Sequence, residues 1–236
     1  CADVFHDCGV TAPIHVVPLG IGEVYRPVER VERDEFVFLT FLDRGKRKGG
    51  FYALQAFLKA FGDDTAVRLV LKGREGQVGM TVLNANMEIV QADMTEEELY
   101  RLYLSADVLV NPNMGEGFGL IPREFAATGG LSLATEWSGT AEDIDCWGLP
   151  IPYTLVPADW QGARNLEPHA PLGEWALPDV DELALLMRAV YEMRHEWRPL
   201  AYARAAHLHE LYNWRDFTAR LYHIFQEVAC GDRVTA

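Results

Sequence analysis

Apolar residues follow two rhythms along this chain. Phe36-Val37-Phe38-Leu39-Thr40, Val67-Arg68-Leu69-Val70-Leu71, Met87 to Val90, Ala106 to Val110 and Leu131 to Ala134 are short runs rich in β-formers and read as strands. Between them the spacing lengthens. Phe51, Leu54, Leu58 and Phe61 recur at helical intervals. Thr95 and Glu98 form a capping box ahead of Leu99, Leu102 and Tyr103, and a further helix is expected from Leu120 to Ala127. Asp179 with Glu182 marks another helix start, before Leu183, Leu186, Met187 and Val190. Two more helices close the chain. Asn213 is the expected N-cap of the last, which carries Trp214, Phe217, Leu221 and Val228 on one face. His15 to Gly20 reads as an extended piece, and the proline-bearing stretch 150–178 as an irregular excursion.

Strands alternating with helices predict an α/β fold: a Rossmann-like parallel sheet with helices on both faces, plus C-terminal helices. One domain is expected over 14–236, with 1–13 as an N-terminal remnant or linker. Such sheets bind ligands beyond the C-terminal ends of their strands. Here those ends lead into the loops after Thr40, Leu71, Val90, Val110 and Ala134.

Hydrophobic residues make up 49% of the 236 positions, enough for a core without metal or disulfide staples. The net charge of −14 argues against a nucleic-acid partner and makes any local basic cluster more informative. The four cysteines, Cys1, Cys8, Cys146 and Cys230, form no Cys-x-x-Cys pair, so buried or inert thiols in a reducing compartment are expected. Cys1, His6 and Cys8 lack an evident fourth metal ligand. With neither a membrane-length apolar run nor a signal peptide, the expected location is cytoplasmic. The absent initiator Met suggests a fragment or processed product.

Chemistry concentrates in Glu116-Gly117-Phe118-Gly119-Leu120-Ile121-Pro122-Arg123-Glu124. Gly117 and Gly119 let backbone approach a ligand closely. The amides near Phe118, Gly119 and Leu120 open the expected helix and suit phosphate oxygens. Glu116 can accept hydrogen bonds from sugar hydroxyls, and Glu124 from vicinal hydroxyls such as a ribose. The run Arg44 to Lys48 lies between a strand and a helix, where phosphate binding is the functional alternative to a solvated charge run. Lys48 is the best cation for the charge that develops on a departing diphosphate.

The motif resembles the E-x7-E signature of retaining glycosyltransferases of the two-Rossmann, GT-B architecture, the large family that includes sucrose synthases. Val17 to Ile21 with Tyr25-Arg26-Pro27, Arg47-Lys48-Gly49, Ala106-Asp107-Val108 with Pro112, and Ser138-Gly139-Thr140 with Glu142 are similar to segments of its C-terminal domain, in the same order. The resemblance implies a nucleotide-sugar donor held by Glu116 at the sugar and Glu124 at the ribose. It implies transfer with retention, by a same-face, ion-pair-like displacement, to an unidentified acceptor. No cofactor or bridging metal is expected. The base is expected near the loop after Val90, with its identity open.

The resemblance places the acceptor site in an N-terminal domain, so a missing domain or partner subunit is expected to supply it. The family often places a second basic residue five or six positions before the lysine. Leu42 and Asp43 stand there, leaving Arg44 or Lys46 to compensate, with Lys72 and Arg74 as weaker candidates. Arg123 is expected on an exposed helix face, and His207 and His209 in surface or packing roles. One alternative is a non-catalytic nucleotide-sugar-binding or interaction module that pairs with a separate acceptor subunit. Another is a dinucleotide site on Gly115, Gly117 and Gly119 with Glu136, which Leu120 at the third-glycine position argues against.

Overall fold

The computed structural model describes residues 2–42, 45–76, 84–159, 165 and 172–231, and all structural statements concern these. Six strands, β1 (Phe36–Phe41), β2 (Val67–Gly73), β3 (Met87–Gln91), β4 (Val108–Asn111), β5 (Leu131–Thr135) and β6 (Gly148–Ile151), form one sheet in the order β3-β2-β1-β4-β5-β6. Every neighbouring pair is parallel. The helices are α1 (Ala2–Asp7), α2 (Gly50–Phe61), α3 (Glu96–Ser105), α4 (Leu120–Ala127), α5 (Ile144–Trp147), α6 (Val180–Glu192), α7 (Arg194–Leu211) and α8 (Trp214–Gly231). The fold is the Rossmann-like sheet that the alternating pattern predicts.

Side-chain alternation sorts the core into two layers. Phe36, Phe38, Leu69, Val108 and Leu133 pack with α2 and α6 on one face. Val37, Leu39, Val70 and Leu109 pack with Tyr103 of α3, Phe125 of α4 and Leu208 of α7 on the other. The expected caps are present. Thr95 and Glu98 form the reciprocal box, Asp179 accepts from the amides of Asp181 and Glu182, and Asn213 accepts from the amide of Asp216.

Asp107, fully buried, accepts from the Val37 amide and pairs with Arg33 at 2.9 Å and Arg198 at 3.0 Å. A buried carboxylate demands such partners, and here they lock the start of β4 to β1 and α7.

The excursion after residue 150 is more regular than expected. Gly148–Ile151 adds an edge strand to the sheet, and β7 (Tyr153–Pro157) pairs antiparallel with β8 (Glu174–Pro178). Proline is tolerated because it falls on an edge strand or at ribbon ends, where no ladder donor is required. The ribbon supports the loop after β4, since the Ala176 amide donates to the Met114 carbonyl at 2.9 Å. Residues 2–7 form a short helix in the stretch expected as a linker.

Candidate functional site

The strand order reverses direction between β1 and β4, and the loops leaving their C-terminal ends open a crevice there. Both loops carry predicted site residues. After β1, Lys46–Lys48 forms one 3-10 turn, closed by Gly49 with φ 74°. After β4, the chain runs from Asn111 to Gly119, which enters α4 with φ 81°.

The two loops are stitched together. The Met114 amide donates to the Arg47 carbonyl at 2.7 Å, and the Arg47 guanidinium donates to the Gly115 carbonyl. Gly49 has the closest approach, because a Cβ there would overlap the Pro112 carbonyl oxygen. Gly49→Ala would add this clash to a left-handed backbone. The expected loss is about 2–4 kcal/mol, read by urea denaturation. An unchanged midpoint would show that the loops do not meet this way.

Lys48 Nζ donates to Glu116 Oε2 at 2.7 Å, and Arg47 lies 3.7 Å from the same oxygen. The Lys48 and Glu116 side chains are about a quarter and a fifth exposed, so the pair is reachable from solvent. The Glu116 carbonyl accepts from Ser138 Oγ at 2.8 Å and from the Gly139 amide at 2.9 Å. These bonds tie the motif to the segment after β5.

Two adjoining cavities share Lys48, Asn111 and Ile121 in their walls. The smaller, about 280 Å³, adds Leu19, Glu116, Phe118, Gly119 and Leu120. The larger, about 410 Å³, extends to Lys72, Arg74 and the Ala92-Asp93-Met94 loop after β3. The Lys72 ammonium is committed to the carbonyls of Gly73 at 2.7 Å and Ala92 at 2.6 Å, and burial lowers its pKa. Arg44 lies outside the described residues.

Glu124 stands one turn into α4, partly buried between α3 and the Tyr25 segment. Burial first, then the Glu96 carboxylate, raises its pKa to about 7. The Tyr103 hydroxyl lies close enough to oppose this rise, although it makes no hydrogen bond. The unfolded chain releases this proton near the ordinary carboxylate value, whereas the folded chain retains it. Stability from this group is therefore full below about pH 4.5 and falls as the pH rises through about 7. Glu124→Gln should remove on the order of 2–3 kcal/mol of this pH-dependent loss, read by urea denaturation across the window. Equal slopes in both proteins would contradict the raised pKa.

Arg123 overturns its expected exposure. Its side chain is fully buried, because partners distant in sequence surround it. Periodicity within α4 gave no sign of them. His209 contacts the Tyr25 carbonyl at 2.9 Å, and His207 lies exposed beside Glu210. Among the described residues, no group of three or more His, Cys, Asp or Glu is placed to hold a metal ion. Nor is any described helix long and apolar enough to cross a membrane.

The fold is shared with GT-B glycosyltransferase structures. No protein-family model matches the chain. It is 23% identical over 233 residues to MMP alpha-(1->4)-mannosyltransferase of Mycolicibacterium hassiacum, covering 96% of this chain and 51% of that protein. The chain thus spans about half the length of this curated relative. Sucrose-phosphate synthase of Thermosynechococcus elongatus superposes with a TM-score of 0.72 at 18% identity, over 98% of this chain and 57% of the synthase. Anabaena HepE, solved in complex with UDP and glucose, gives 0.60 at 13% identity, over 82% of this chain and 48% of its own.

Proposed function

We propose that this chain is the donor-binding half of a retaining glycosyltransferase and holds a nucleotide-activated sugar. The observation that carries this reading is the Lys48–Glu116 pair at the strand-order reversal, in the wall shared by two cavities. The diphosphate lies at that wall. Its oxygens meet the Lys48 ammonium and the amides opening α4, whose dipole favours an anion. The sugar occupies the smaller cavity, where Glu116 accepts from its hydroxyls. The nucleoside occupies the larger, with the base near Ala92 to Met94. Glu124 lines neither cavity, so its ribose role is carried by the resemblance of the motif and not by the cavity walls. The chemistry of the relatives, including the UDP and glucose complex of HepE, supports a donor of this class.

When the sugar–phosphate bond breaks, negative charge grows on the diphosphate and positive charge on the anomeric carbon. Lys48 stabilises the first. The acceptor attacks from the same face as the departing phosphate, which gives retention. An acceptor half, in the same polypeptide or a partner subunit, supplies the rest of the cleft. In this reading the Lys48 ammonium at the shared wall and the amides opening α4 in the smaller cavity serve the diphosphate, with no resident metal or cofactor.

Hydrogen exchange of the chain with nucleotide sugars bearing uracil, guanine or adenine tests this reading. The expected result is protection confined to 45–50, 90–95 and 115–124 with one base. Protection elsewhere, or with none of the three bases, would refute it.

A further inference from the structure

The Arg123 side chain is fully buried, yet it lies one residue before a proposed ribose ligand and behind the loop that lines the smaller cavity. One terminal nitrogen donates to the Phe118 carbonyl and, more weakly at 3.4 Å, to that of Gly119. The other donates to the Gly139 carbonyl at 3.1 Å, the Glu142 carbonyl at 3.0 Å and the Asp143 carboxylate at 2.8 Å. The rings of Phe118, Trp147 and Tyr212 stand 4.3, 5.0 and 5.4 Å from the guanidinium carbon. Burying a charge is costly without compensation, and here carbonyls, a carboxylate and aromatic faces supply it.

The carbonyls it grips have a consequence for the amides beside them. In a trans peptide the N–H points opposite to the C=O of the same plane. The Phe118 carbonyl shares its plane with the Gly119 amide, and the Gly119 carbonyl with the Leu120 amide. Carbonyls drawn inward to the guanidinium therefore turn those two amides outward. Gly119 and Leu120 both line the cavity that holds Lys48 and Glu116. Gly119 has no side chain to cap the helix, and a Cβ there would stand 2.7 Å from Thr140 Cγ2. The same cation grips Gly139, whose amide donates to the Glu116 carbonyl at 2.9 Å.

We propose that Arg123 is a positioning residue for diphosphate recognition: it fixes the peptide planes of 118–120 so that the Gly119 and Leu120 amides face the phosphate oxygens. This rests on the donor-site reading above. Its charge, paired with the Asp143 carboxylate at 2.8 Å, lies behind those amides and does not touch the ligand. Lysine at this position keeps the charge but lacks the planar fork that spans carbonyls from two loops.

Titration of the unaltered chain, Arg123→Met, Arg123→Lys and Asp143→Ala with UDP, GDP and ADP, and with the corresponding nucleosides, tests the assignment. Circular dichroism and thermal unfolding accompany each variant. Arg123→Met should weaken the bound diphosphate about tenfold or more while nucleoside affinity stays within about twofold. Arg123→Lys should fall between the two. Should Arg123→Met fail to fold, Asp143→Ala, which removes a carboxylate about one-third exposed, should produce a smaller loss with the same selectivity. Equal weakening of diphosphate and nucleoside in the folded variants, or no weakening of either, would overturn the positioning role alone. No nucleotide binding by the unaltered chain would overturn the donor-site reading itself, and this role with it.

Discussion

Lys48→Ala should leave the fold intact and remove most of the transfer activity of the intact protein. Its ammonium ends a one-turn helix held by backbone bonds that do not involve the side chain. The fold therefore has little reason to change. The cation faces the wall common to both cavities, where the leaving diphosphate accumulates charge. Removing one such stabilising donor lowers kcat by about 10²–10³-fold, roughly 3–4 kcal/mol of barrier. Binding should split by ligand. The nucleoside diphosphate weakens about tenfold through the lost charge-assisted contact, while the nucleoside keeps its affinity. Arg47, which also reaches towards Glu116, limits the loss. Equal losses for diphosphate and nucleoside would contradict a phosphate role.

Glu116→Gln should move two affinities in opposite directions. Without ligand, Glu116 occupies Lys48 at 2.7 Å, so a diphosphate must compete with a carboxylate for that ammonium. Both side chains are partly solvated, and the pair they lose is worth about 0–1 kcal/mol. The amide variant frees Lys48 and removes a nearby negative charge. UDP, GDP or ADP, whichever binds, should therefore bind up to about fivefold tighter. The nucleotide sugar should lose its advantage over the bare diphosphate by about ten- to a hundredfold, because its hydroxyls lose an ionised acceptor. Calorimetry reads both changes. A variant that weakens diphosphate and nucleotide sugar alike would deny Glu116 its sugar role.

The core strands were legible because each alternates between two buried layers, as Phe36 and Phe38 do against Val37 and Leu39. The helix starts were legible because Thr95, Asp179 and Asn213 cap through side chains a few residues away. The ribbon of Tyr153–Pro157 with Glu174–Pro178 was hidden because its prolines sit at positions without ladder donors, which sequence does not mark. The motif around Glu116 could be picked out locally. Its ion pair with Lys48 could not, since the partners lie 68 residues apart and meet only where β1 and β4 adjoin. Arg123 was misread for a related reason. A charged residue on a short helix suggests solvent, whereas its cage comes from Phe118, Trp147 and Tyr212 in separate segments.

The measurement that bears most directly on a nucleotide-sugar donor site is calorimetric titration of this chain with UDP, GDP and ADP, then with the matching nucleotide sugars. One base should give saturable one-to-one binding, weakened in Glu124→Ala, and its nucleotide sugar should bind at the same site. A well-folded chain that binds none of the three diphosphates, or binds one equally well after Glu124→Ala, would contradict the assignment of that site.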